Sequence, residues 1–353
     1  MRYNVKRKIK VGAFLMLLPF IVLGCEFIID RYFIYNDAGE EVNYVKAGEV
    51  ATFKFEGHIS IDGDASAEDF IVVFLVPRNW NARENAKVTY TEDKFEDSSI
   101  EQPMTAIPVN DQPQGKGMSW DAVLKEKFGV GANVLNDMEW VAFRSKNYAT
   151  INGRINYTVT IKCRASMNNQ RFRPAFFINH SSDGLGGDAA HFACYGDDPG
   201  ETECFEVVEG QGSVIDFCSM HYYQVEPLSS LQDDFVTFTF QGDVVSDNEL
   251  ASADKVFLEA VAHTVEGNVY TVNEKSAKTL MVKEEKMSRY NLTVWPVEFF
   301  GISEGETISY IEYVFSNEDG TVKVTRSDDD RDNAGEEVEE GAQEPFVFEL
   351  RCD

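Results

Sequence analysis

The sequence predicts a mainly β protein of two immunoglobulin-like β-sandwich domains, the first with an inserted helix and long loops. Three observations predict it. Ile155, Tyr157, Val159, Ile161 and Cys163 alternate with Asn156, Thr158, Thr160 and Lys162, the two-residue period of a half-buried strand. Phe70-Ile-Val-Val-Phe-Leu-Val76 is apolar throughout and stops at Pro77, which reads as a central strand covered on both faces. Beyond residue 225, about seven strand-like runs fall within about 125 residues, the strand count of an immunoglobulin-like sandwich. Aromatic residues make up 12% of the 353, with 26 Phe and 14 Tyr, and such side chains suit a pleated, half-buried surface.

The chain opens on a basic stretch, Arg2, Lys6, Arg7, Lys8 and Lys10, followed by the apolar run Val11–Leu23. Spanning a bilayer takes about 20 apolar residues, so this run is too short to be a membrane helix. Basic start, apolar run and small residue give residues 1–24 the order of a secretory signal. Val22-Leu-Gly-Cys25 looks like a bacterial lipobox, which implies cleavage after Gly24 and a lipid on the Cys25 thiol. Residues 25–225 are expected to form the first domain. Phe27–Tyr35 reads as its first strand, with almost no tether after Cys25. Val50–Glu56, Lys87–Thr91 and Met138–Phe143 read as further strands. Residues 96–117 read as loop. Ser119 then caps a helix at 120–128, with Asp121 in its first turn and Gly129 to close it. Trp120, Val123, Leu124 and Phe128 share one face of that helix, which should pack on a sheet. Phe172–Ile178 reads as an edge strand because of Pro174. Val225–Ser230 is the linker, and residues 226–353 form the second sandwich, with an Asp-Gly turn at Asn317–Gly320.

The formal charge is -28, and without the five basic residues of the leader it is about -33. Nucleic-acid binding depends on Lys and Arg neutralising phosphates, so so acidic a chain excludes a nucleic-acid partner. Six Cys are present; with Cys25 set aside, five remain. Cys194 and Cys204 bracket a turn-rich segment and are the expected disulfide. Cys163 reads as a buried thiol, and a Cys163–Cys218 pair has no support from spacing. No zinc spacing, nucleophile elbow or phosphate loop occurs, so no enzyme chemistry and no required cofactor are expected. Asp328, Asp330, Asp332 and Glu339 stand at positions one, three, five and twelve of a calcium loop. Asn333 replaces its turn glycine and no helix pair flanks it. Weak calcium binding and a plain acidic excursion between strands are the two readings. For sugar binding, the candidate aromatic platforms are Trp295, Trp80, Tyr222 and Tyr223, with Trp295 on the polar side of its strand and Pro296 taken as an edge mark.

Ala47-Gly-Glu-Val50, Phe74-Leu-Val-Pro-Arg-Asn-Trp80, Val88-Thr-Tyr-Thr91, Ser119-Trp120, Glu139-Trp-Val-Ala-Phe143 and Gly212-Ser-Val-Ile-Asp-Phe217 resemble a family of Bacteroidota lipoproteins of unassigned function. Its members are usually encoded beside SusC/SusD-like outer-membrane glycan importers. Tyr290-Asn-Leu-Thr-Val-Trp-Pro296, Ile311–Gly320 and Arg326 are similar to the SusE-type β-sandwich. The resemblance implies a non-catalytic outer-membrane lipoprotein, held to the membrane through Cys25. Its expected role is polysaccharide binding or an accessory part in a SusC/SusD-like uptake system. The alternative is a structural or assembly lipoprotein that binds outer-membrane protein partners and no sugar. Only Glu26 and Asp30 are acidic just after Cys25, so surface and periplasmic facing both stay open.

Overall fold

The computed structural model describes residues 25–61, 67–93, 99–130, 137–146, 148–149, 153–186, 190–192, 203–242, 244, 249–284, 288–331, 339 and 341–351. The leader 1–24, Cys194 and Asp332 lie outside the described residues. The protein is mainly β, with two immunoglobulin-like sandwiches and few helices.

In the first sandwich, the front sheet has the order Cys25–Tyr35, Val50–Ile61, Gly153–Arg164, Lys87–Glu92, Gln102–Pro103, antiparallel throughout. Its alternating strand Gly153–Arg164 buries Ile155, Tyr157, Val159, Ile161 and Cys163, as the period of two requires. Gly57 is a forced choice here. A Cβ would meet Ile28 O at 1.9 Å, and Tyr157 Oη donates to that same carbonyl at 2.9 Å. The back sheet has the order Ala190–Phe192, Ala175–His180, Phe70–Pro77, Met138–Arg144, Thr105–Ala106. Every residue of its central strand Phe70–Pro77 is buried. One face meets the front sheet, where Phe70 lies 4.8 Å from Tyr90 and 5.9 Å from Phe27. The other face of the sheet is covered by the helix Trp120–Phe128, whose Trp120 and Phe128 pack on Phe177 and Trp140. Ser119 caps that helix by accepting from the Ala122 N–H, and Gly129 ends it at φ +70°.

A third sheet, ordered Gln211–Asp216, Asn168–Phe172, Phe205–Val208, Tyr44–Lys46, closes one end of this sandwich. Pro174 does not mark the edge that the sequence predicts. Asn168–Phe172 belongs to this third sheet, whereas Ala175–His180 lies inside the back sheet between two partners. Arg173-Pro174 is where the chain crosses from one sheet to the other, a place that needs no ladder hydrogen bond from proline.

In the second sandwich one sheet has the order Tyr223–Glu226, Val236–Gln241, Arg289–Val294, Val282–Lys283. The other centres on Ile308–Ser316, paired with Phe257–Thr264, Lys323–Val324 and Phe346–Glu349, with Val269–Val272 outside. Phe238 on Tyr313 and Phe240 on Phe315, at 4.9 and 5.2 Å, join the two faces. Three expectations change here. Tyr223–Glu226, expected at the start of a linker, is a strand paired with Val236–Gln241. Pro296 does not extend an edge strand but starts the short helix Pro296–Phe300, where its missing N–H costs nothing. One of the seven strand-like runs of this half, Thr321–Arg326, is strand only at Lys323–Val324 and turns into the helix Arg326–Asp329. The buried apolar residues form two clusters, one ending at Phe217 and one beginning at Tyr222.

Candidate functional site

The two clusters meet along a seam, and its centre is His221. Strand Gln211–Asp216 carries Asp216 from the first cluster's side, and helix Arg326–Asp329 carries Asp329 from the second. His221 Nδ1 lies 2.6 Å from Asp329 Oδ2, and its Nε2 lies 3.4 Å from Asp216 Oδ2. Asp329 Oδ1 also accepts from the Tyr222 N–H at 2.7 Å. Arg171 reaches Asp216 at 3.6 Å and Glu206 at 3.1 Å. Burial alone would lower the His221 pKa, but the nearby Asp216 carboxylate and the hydrogen bond to Asp329 outweigh it and hold it at about 9. Burial works against the Asp216 carboxylate too, yet the adjacent His221 charge, the Cys218 amide and Arg171 keep it below its ordinary value. An imidazolium clasped between carboxylates from both sandwiches therefore pins the seam.

A pH dependence follows. His221 is raised above the free value of 6.5, so its contribution is complete below about pH 6.5 and is lost as pH rises through about 9. Asp216 is depressed, so its contribution stands above about pH 4 and is lost on further acidification. Glu92, pushed up to about 7 by burial and then by Asp93, titrates in the same range. The His221 share is thus the difference between wild type and His221→Gln. Urea titrations at pH 6 and pH 9.5 should show wild type losing roughly 3 kcal/mol more than His221→Gln. Equal losses in the two proteins would remove the clasp.

The disulfide joins Cys204 to Cys218, not to Cys194. Cys204 lies just before strand Phe205–Val208 and Cys218 just after strand Gln211–Asp216, and the third sheet brings these two ends together. The bond thus closes the chain beside Asp216, whose Oδ1 accepts from the Cys218 N–H at 2.7 Å. With a separation of 14 residues, reducing it should cost about 3 kcal/mol, seen as a lowered urea midpoint after dithiothreitol treatment. Cys163 is a buried free thiol, and burial followed by the Glu139 charge pushes it up to about 12, which leaves it inert at neutral pH.

Three connected cavities run along the seam. The largest, about 380 Å³, is lined by Arg171, Val214, Asp216, His221, Tyr223, Arg326, Asp329, Asp330, Phe346 and Val347. A second, about 350 Å³, lies between Gln211–Gly212 and Phe348–Arg351. The third, about 100 Å³, shares walls with both.

Of the sequence-predicted platforms, only Tyr223 lines the largest cavity. Its ring sits between His221 at 5.2 Å and Phe346 at 4.7 Å. Tyr222 is buried in the second core and presents no face to solvent. Trp80 is 1% exposed, packed on Phe172, Phe53 and Phe205, and donates to Gln170 Oε1 at 3.0 Å; it is core, not platform. Trp295 is 40% exposed, alone among the four tryptophans, and lines none of the seam cavities. Of the calcium-loop candidates, Asp328, Asp330 and Glu339 are described and Asp332 is not. Asp328 Oδ2 accepts from the Thr325 amide and hydroxyl as a capping box, while its Oδ1 meets Arg331. Asp330 pairs with Arg326. Asp328 and Asp330 thus each bond to a neighbour in the same segment, and Glu339 is exposed. Among the described residues, no group of three or more His, Cys, Asp or Glu side chains could hold a metal ion. Asp216, His221 and Asp329 escape sequence reasoning because no local spacing links them. Their nearest sequence signal is Asp329 itself, at position two of the acidic run, between the two residues read as ligands.

No curated protein matches the chain. Solved structures similar to it include the C-terminal domain of the Streptococcus pyogenes antigen I/II-family protein AspA, at 11% identity and TM-score 0.26, covering 85% of this chain and 97% of that one. The Corynebacterium diphtheriae major pilin SpaA has 10% identity and TM-score 0.26 over 92% of this chain and 65% of that one. The Bacillus cereus major pilin subunit BcpA has 9% identity and TM-score 0.23 over 92% and 67%. Residues 223–324 match a second domain of unknown function, DUF8578. Residues 33–221, more than half of the chain, match the model of DUF4961, a domain of unknown function, and the protein belongs to that family.

Proposed function

We propose that the protein is a non-catalytic, lipid-anchored binding protein of the outer membrane, taking a glycan or serving as an accessory of a SusC/SusD-like polysaccharide uptake system. The observation that carries this reading is the 380 Å³ seam groove. It sets Tyr223 and Phe346 beside Arg171, Arg326, Asp216 and Asp330. Guanidinium and carboxylate groups make paired hydrogen bonds with neighbouring hydroxyls, and aromatic rings cover the apolar face of a sugar. The His221 clasp holds Asp216 and packs on the Tyr223 ring before any ligand arrives. Trp295 is a separate candidate platform outside the groove. The test is binding on a polysaccharide panel with wild type, Arg326→Ala and Trp295→Ala. Loss in Arg326→Ala supports the groove, and loss in Trp295→Ala alone moves the site to the exposed tryptophan. A panel negative throughout removes the glycan reading.

The second reading is an assembly lipoprotein that binds protein partners. It is favoured by the outer strand Gln211–Asp216, which lies at the edge of its sheet with Val214 52% exposed. Co-purification of outer-membrane proteins, lost in Val214→Lys, supports it.

A further inference from the structure

The seam groove opens onto one face of the third sheet. Arg171 and Asp216 line the groove, and they stand opposite each other on neighbouring strands of that sheet. The register carries the same row outward. Arg171 stands opposite Glu206, and Glu206 opposite Tyr44 on the far edge strand Tyr44–Lys46. Alternation sets the face of this row. Val45, Phe205, Val207 and Phe172 are at most 2% exposed and belong to the first core, so the residues between them point outward. The side chains of Arg171, Glu206 and Asp216 are 41%, 40% and 13% exposed, and Tyr44 is 44% exposed. The row is therefore open from Tyr44 to Arg171 and passes under cover only where it enters the groove. Arg171 is tied along it, to Glu206 at 3.1 Å and to Asp216 at 3.6 Å. Among the described residues, Tyr44 makes no hydrogen bond and no ring contact, so the apolar face of its ring is open.

Neighbouring strands lie about 4.8 Å apart, so the row runs about 14 Å from Tyr44 to Asp216 before the groove begins. One unit of a linear sugar chain is about as long as one such spacing. Charge decides between sugars. In the groove, Arg171, Arg326 and His221 are balanced by Asp216, Asp329 and Asp330, and Glu206 adds a further negative charge on the row. The whole chain carries a formal charge of -28. A polyanionic glycan is repelled by this arrangement, and a neutral one is not.

We propose that the groove is one end of a longer binding path, and that Tyr44 is its outer subsite, stacking on a ring of a neutral linear oligosaccharide of about four or more units. This rests on the glycan reading of the groove, and it adds the length of the ligand, its lack of charge and a residue outside the groove.

The probes are neutral malto-, cello-, xylo- and manno-oligosaccharides, from disaccharide to hexasaccharide, titrated calorimetrically into the full chain. Within a series that binds, affinity should rise with length, the hexasaccharide binding about tenfold more tightly than the disaccharide. Tyr44→Ala should remove that gain and leave disaccharide binding unchanged. Tyr44→Phe, which keeps the ring, should retain it. Both variants should melt as wild type does, because the side chain is exposed. Arg326→Ala should weaken binding at every length. If length brings no gain, or if Tyr44→Ala binds the hexasaccharide as wild type does, the outer subsite is overturned and the groove reading stands. An equal loss at both lengths in Tyr44→Ala overturns the subsite as well. If no series binds, or if Arg326→Ala binds as wild type does, the groove reading fails and the subsite falls with it.

Discussion

Asp329→Ala is expected to destabilise the protein by about 3–5 kcal/mol, the largest effect of any single exchange at the seam. Asp329 is 2% exposed and accepts from both His221 and the Tyr222 amide. Without it the imidazolium stays buried with Asp216 alone, 3.4 Å away, and the Tyr222 N–H loses its acceptor. A buried charge stripped of one partner costs far more than the intact pair contributes, because desolvation is no longer offset. Asp329→Asn keeps an acceptor for Tyr222 and loses only the charge, so its loss should be smaller. Since the clasp links two hydrophobic clusters, urea unfolding of Asp329→Ala should also separate into two transitions where wild type shows one. A loss below about 1 kcal/mol with a single transition would show that the seam is held by apolar contacts instead.

Trp80→Ala should cost about 3–5 kcal/mol, as large aromatic-to-alanine exchanges in cores do. The indole fills the space among Phe53, Phe172 and Phe205, where the front sheet meets the third sheet. It also donates to Oε1 of Gln170, itself fully buried. Truncation therefore leaves a cavity and removes a buried hydrogen-bond donor together. The check is a thermal melt of Trp80→Ala beside Trp295→Ala. The exposed Trp295 should shift the midpoint little, and equal shifts would contradict the assignment of Trp80 to the core.

The strands were legible in sequence where one face is wet and the other dry, as in Gly153–Arg164, because period and burial then coincide. Phe70–Pro77 was legible for the opposite reason: two covered faces leave no polar position. The helix at 120–128 announced itself through Ser119 and Gly129, whose roles are local. Pro174 and Pro296 misled, since proline marks any place free of a ladder donor, and an edge, a crossover and a helix start all qualify. The seam was hidden. His221 meets Asp216 across five residues of chain and Asp329 across 108, and only the docking of two sandwiches brings them together. The acidic run drew attention to Asp328 and Asp330, yet those bond to neighbours in the same segment. Their neighbour Asp329 reaches the seam, because successive helical residues point in different directions. Tyr222 and Tyr223 show the same one-residue effect on a strand edge, one in the core and one in the groove.

The strand Cys25–Tyr35 is the outermost of the front sheet and runs antiparallel to Val50–Ile61 along its length. Interstrand hydrogen bonds lie perpendicular to such a pair. A tensile load entering at Cys25 along the strand therefore meets them side-on, and many must fail together instead of opening one after another like a zipper. Phe27 and Ile34, seated in the core behind the strand, resist the same sliding. The register shift between Ile29 and Arg31 divides the strand into two segments. The sandwich so takes a pull at this point as shear, and the irregularity near Asp30 is where it would yield first.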